Sequence, residues 1–160
     1  MAADRRGYGE RQSQLLRALV AGDELPEGFA PGEASVASRS LRLKRSRAVA
    51  KTWPALAFAL GSRVDERFDA FARSTAPPAV GGALADGLAF ASTLDPGELS
   101  EDARVEVLVA RARLVHRGAT LRRRRGPFLR VIALHEPRRL LVVAQIARGS
   151  TRVRTVPLGR

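Results

Sequence analysis

The residues that could do chemistry in this chain are few: two histidines, one Ser-Glu-Asp triplet and a large excess of arginine over lysine. His116 and His135 stand 19 positions apart, and neither has a carboxylate partner at ligand spacing. A structural metal site takes about four ligands, so both read as surface or interface histidines, and no metal is expected. Ser100-Glu101-Asp102 could supply acid/base groups, but a serine followed by two acids also opens a helix, and capping accounts for all three. Cysteine is absent, which removes thiolate nucleophiles, disulfides and thiolate-bound metals. Gly81-Gly82 follows no strand and lacks phosphate-loop spacing. The expectation is a protein that is not an enzyme and carries no cofactor.

Arginine is where the sequence is unusual. The net charge is +12, and residues 120–160 hold eleven arginines against Glu136 alone, +10 of that total. Codon bias in a GC-rich genome could explain arginine over lysine, 26 to 2, but not the concentration of charge at one end. The candidates for binding are Arg122, Arg123, Arg124, Arg125, Arg138, Arg139, Arg152 and Arg154, joined by Lys44, Arg47 and Lys51, which share a helix face at i, i+3 and i+7. Such a footprint suits nucleic acid, where phosphate neutralisation dominates affinity, and equally an acidic peptide or protein. No helix-turn-helix, zinc finger or aromatic base-stacking platform accompanies it.

The elements that must position these groups can be read from punctuation. Lys51 to Ser62 contains a helix junction: Pro54 pushes Trp53 out of helical geometry and suits a first turn, and Gly61 suits a cap. Helices are expected at Tyr8–Ala21, from about Ser35 to Thr52 after a Pro/Gly loop, and from Pro54 to Leu60. The next starts at Ser62 with a capping box to Asp65 and buries Val64, Phe68, Phe71 and Ala72. Leu84, Leu88, Ala91 and Leu94 mark another, and the last runs from Ser100 to Gly118. Trp53, Phe58, Phe68, Phe71 and Phe90 are the expected core anchors, with Pro54, Gly61 and Leu84 as structural landmarks. Beyond them, Phe128–Leu134 and Leu140–Ile146 read as a hairpin and Thr151–Val156 as a solvent-facing third strand. The fold class is therefore α+β. An all-α bundle of about five helices spans residues 8–118, a basic linker 119–126, and a small antiparallel β meander 127–160 packs on the helices. No stretch is long and apolar enough for a membrane span or a signal peptide, so a cytoplasmic location is expected.

The order of landmarks resembles the HvfC/BufC N-terminal-domain family, once labelled a DNA-binding domain. Trp53-Pro54 and Leu60-Gly61 lead into a helix with Phe68 and Phe71; Pro77-Pro78, then Leu84-Ala85-Asp86, then Leu99, Asp102-Ala103-Arg104 and Glu106 come after. Where family members often carry Arg-Asn-Asn, this chain has Ser38-Arg39-Ser40 and then Leu43-Lys44-Arg45. The C-terminal part is similar in texture to actinobacterial homologues. The resemblance implies a non-catalytic partner subunit that docks a multinuclear iron enzyme and helps present the precursor peptide that the enzyme modifies. The alternative is a nucleic-acid-binding or regulatory protein using the basic tail; a hydrolase or transferase without a recognisable signature is a distant third.

Overall fold

A computed structural model describes residues 14, 15, 18, 31–117, 120–134, 138–146 and 151–157. Gln14, Leu15 and Ala18 are helical, and the rest of the helix expected over Tyr8–Ala21 lies outside the described residues, as does His135. The chain is α+β and divides into two compact units, Met1–Ala48 with Ser62–Pro77 and Val49–Gly61 with Pro78–Arg160. Its helices are α1 (Pro31–Thr52), α2 (Pro54–Leu60), α3 (Val64–Ser74), α4 (Gly82–Ala91) and α5 (Glu101–Arg113). Four of these have ten residues or more, and α2 is a two-turn segment of seven. The helix expected to begin near Ser35 starts instead at Pro31, because a proline ring is compatible with a first helical turn.

In the first unit, α1 packs on α3 through polar clamps as well as aromatic burial. Phe68 is fully buried and meets Phe71 edge-on, with ring centroids 5.4 Å apart. The buried Ser46 hydroxyl donates to Asp65 Oδ1 at 2.6 Å. That bond corrects the expected Ser62–Asp65 capping box: residues 61–63 form a 3₁₀ turn, α3 has no side-chain N-cap, and Asp65 is committed to a partner 19 positions back.

The second unit is organised around Trp53. Its ring is buried, and Nε1 donates to Ala83 O at 3.1 Å. Pro54 occupies the first turn of α2, and Gly61 ends it with φ 55°, a conformation that a side chain disfavours. The N-terminus of α2 has no cap of its own; Glu106 of α5 reaches it, accepting from Leu56 N at 2.9 Å and Ala55 N at 3.5 Å. Ser100 caps α5 as expected, accepting from Ala103 N at 3.2 Å. Gly87 of α4 lies directly against the indole, where any Cβ would overlap it.

Helix α5 stops at Arg113, five residues short of the expected end. Leu114 is extended (φ −126°, ψ 149°) and begins β1 (Leu114–Arg117), which pairs antiparallel with β2 (Thr120–Arg123). His116 is therefore on a strand, not on the last helix, and the expected linker holds a strand. Leu114 and Val115 continue the apolar spacing of Val107 and Leu108, so helical periodicity alone does not mark the change; strand pairing does.

Next comes a three-stranded antiparallel sheet, β3 (Phe128–Leu134), β4 (Arg139–Gln145) and β5 (Thr151–Pro157), in the order β3-β4-β5. This is the expected meander with the expected exposed third strand. Period-two alternation sends Leu134, Leu141 and Val143 to an inner face, where they form a core with Leu108 and Ala112 of α5. Val105 and Val109 complete that stripe. The sheet thus rests on a helix, which a small meander needs in order to be stable.

Candidate partner-binding surface

The second face of the three-stranded sheet is open. In the register of the ladder, Leu129, Val131 and Ala133 of β3 lie across from Ala144, Val142 and Leu140 of β4, which in turn meet Arg152, Arg154 and Val156 of β5. Leu129 is 70% exposed, Val131 49% and Val156 46%. Two-residue alternation therefore produces an apolar patch on the face away from α5, with a pair of arginines along one side. No aromatic residue belongs to this face, because Phe128 alternates inward. Within the sheet, β3 and β5 each pair only with β4, leaving two outer edges.

The other sequence candidates are divided. Arg122 and Arg123 are exposed on β2, and Arg125 is exposed just after it. Arg124 is held in place: its N–H donates to Arg113 O at 2.7 Å, its carbonyl accepts from buried Gln145 Nε2 at 2.8 Å, and its guanidinium lies 5.0 Å from the Phe128 ring centroid. Those contacts give it a structural role. Arg138 is exposed before β4, whereas Arg139 is half-buried and alternates to the inner face with Leu141. The run of four arginines is thus not one solvated cluster, and Arg139 does not share a face with Arg152 and Arg154.

On α1, Lys44, Arg47 and Lys51 are all exposed; the first two belong to the first unit and Lys51 to the second. The neighbouring basic residues Arg42 and Arg45 have structural partners. Arg42 Nε binds Asp69 Oδ1 at 2.6 Å, and Arg73 Nη2 binds Asp69 Oδ2 at 2.7 Å. The Arg42 hydrogen bond chiefly holds the Asp69 carboxyl below its usual range, with Arg73 assisting and desolvation opposing. Arg45 lies 5.6 Å over the Phe68 ring and donates through both Nη atoms to Thr75 O at 3.2 Å, closing the C-terminus of α3.

Of the structural landmarks, Trp53, Phe68, Phe71 and Phe90 are buried, and Leu84 is half-buried. Phe58 is the exception: it is 87% exposed, not a core anchor. Leu56 and Leu60 take the buried side of α2, and Phe58, two positions from each, falls on the opposite side. Its exposure depends on which side of α2 is covered, and that is set by the elements packed against it.

No group of three or more His, Cys, Asp or Glu side chains gathers at metal-binding distance among the described residues, and no helix there is long and apolar enough to cross a membrane. Among those residues, the second unit presents a small basic sheet that rests on α5 and leaves an apolar face open. Residues 9–96, just over half of the chain, match the SCO6045-like C-terminal domain family, and the chain belongs to that family. A UPF0276 protein of Streptomyces avermitilis is 39% identical over 92 residues, which are 58% of this chain and 18% of that protein. The chain thus spans about a fifth of the length of this curated relative. No solved structure matches the chain.

Proposed function

We propose that this protein is a non-catalytic partner subunit whose basic sheet recognises an acidic, partly apolar protein or peptide. The observation that carries the reading is the open sheet face, where Leu129, Val131 and Val156 are exposed beside Arg152 and Arg154. An apolar centre with a cationic margin suits a protein partner with the converse pattern. Two copies of this face brought together about a two-fold axis would set arginine pairs near each other, which disfavours self-association. Nucleic acid is less well matched: sheets that bind single strands stack bases on aromatic side chains, and this face has none.

The resemblance to the HvfC/BufC family gives that partner a class: a multinuclear iron enzyme that modifies a ribosomally made peptide, together with its precursor. An extended precursor segment would add to the β3 or β5 edge, gaining main-chain hydrogen bonds while side chains meet the basic surface. Support also comes from the Streptomyces relative, in which the similar stretch is a small part of a much longer polypeptide, as befits a module working beside a larger body.

Mixing the purified protein with such an enzyme and its precursor, and in parallel with duplex DNA over a range of salt, tests this. The expected result is a stoichiometric protein complex by light scattering and only weak, steeply salt-dependent DNA binding. Tight stoichiometric DNA binding with no enzyme complex would favour the nucleic-acid-binding or regulatory alternative.

A further inference from the structure

A cavity of about 530 Å³ opens in the second unit between α5, the segment after α4 and strand β3. Its walls are apolar where Leu94, Leu108, Phe128 and Ile132 contribute, and among the described residues its charged groups are all of one sign. Arg104, Arg111 and Arg130 line it, and among the described residues no aspartate or glutamate does. Arg104 and Arg111 project from one side of α5, seven residues apart, while Arg130 comes from β3 on the inner-face register. A volume of this size matches the range of small-ligand sites, which are typically apolar with a few convergent polar groups.

Arg104 is the most constrained of the three. Its Nη2 donates to Pro96 O at 2.7 Å, which orients the guanidinium, while its Nε is buried with no hydrogen-bond partner. Arg111 and Arg130 are exposed at the mouth and have no ion pair among the described residues. A guanidinium meets a carboxylate through a fork of N–H donors, so arginines beside an apolar wall suit an anion carried on an apolar body.

We infer that this cavity is a binding site for a carboxylate carried on an apolar body, the acid meeting Arg104, Arg111 and Arg130 and the apolar part resting on Leu94, Leu108, Phe128 and Ile132. The carboxylate belongs either to a free small acid or to an acidic side chain flanked by apolar residues in a peptide. The inference stands apart from the sheet-face reading, since it concerns the opposite face of β3 and needs no partner enzyme.

The test is isothermal titration of the full chain with octanoate, octanol and octylamine, and with acetyl-Leu-Glu-Leu-amide and its Gln counterpart. Saturable binding is expected for octanoate or for the Glu peptide, with octanol, octylamine and the Gln peptide at least about tenfold weaker. Octanoate binding identifies a free acid as sufficient; binding of the Glu peptide alone identifies a peptide side chain. Arg111→Glu and Arg130→Glu, at exposed positions that leave folding intact by circular dichroism, should each weaken binding about tenfold or more, and Arg130→Lys should weaken it less. Octanol binding as tightly as octanoate, no loss on either charge reversal, or no saturable binding by any acid would overturn the inference.

Discussion

Gly87→Ala is the sharpest test of how the second unit is packed. In an ordinary helix this change is favourable by about 1 kcal/mol, since alanine has the higher helix propensity. Here the added Cβ would overlap Nε1 and Cδ1 of Trp53 and lie 2.8 Å from Cε2. The indole would have to move, and its surroundings are closed: Trp53 is 1% exposed. Overpacking of this kind costs about 1–3 kcal/mol, and a shifted ring also loses the Nε1–Ala83 bond, about 1–3 kcal/mol when the donor stays buried. The costs outweigh the helix gain, so we expect a net loss of about 2–4 kcal/mol. Trp53 is the chain's single tryptophan, so urea unfolding monitored by its fluorescence reports on this contact directly. A cycle with Trp53→Leu, with unfolding of all four proteins followed by circular dichroism, separates contact from propensity: on the leucine background Gly87→Ala should cost little or stabilise by up to about 1 kcal/mol. Stabilisation by Gly87→Ala in the presence of Trp53 would refute the packing.

The same contacts have other consequences. Glu106→Ala should destabilise by about 1 kcal/mol, measured by urea titration, because the first turn of α2 loses the side-chain acceptor that reaches it from α5; Glu106→Gln should cost less. The folded-state pKa of Asp69 is depressed, so its stabilisation is present above the unfolded value of 3.8 and is lost as pH falls through the folded one. Accordingly, Asp69→Asn should lower the urea midpoint at neutral pH, with the difference from wild type shrinking in strong acid; a constant difference would exclude ionisation as the cause. Phe58→Asp should change stability by less than about 0.5 kcal/mol in thermal melts, as expected for an exposed side chain.

The parts legible in the sequence are those decided locally. Pro54 and Gly61 constrain their own backbone, Ser100 can cap only the helix it precedes, and the short β-favouring apolar runs around Val131 and Val142, with the alternation around Val153, identify strands without knowledge of neighbours. The features that are not legible depend on remote partners. Asp65 has the spacing of half a capping box but serves Ser46, and Phe58 has the character of a core residue although the buried side of α2 is set by other elements. The end of α5 is hidden because Leu114 and Val115 satisfy helical spacing and strand alternation alike. The candidate site is half visible: arginine abundance marks the tail, but the separation of Arg139 from Arg152 and Arg154 needs the register. Arg104, Arg111 and Arg130 come from two distant elements, and the seven-residue spacing of the first two is the one signal the sequence offers.

Binding of the full chain to a peptide-modifying iron enzyme and its precursor, compared between wild type and a Val131→Asp/Arg152→Glu variant, tests the central claim most directly. Both positions are exposed on the open face, so the fold should survive, as checked by circular dichroism. A stoichiometric complex is expected for the wild type, weakened about tenfold or more in the variant, with duplex DNA binding weak in both. A complex indifferent to the two substitutions would contradict the assignment of the face, and tight DNA binding without any enzyme complex would contradict the partner role itself.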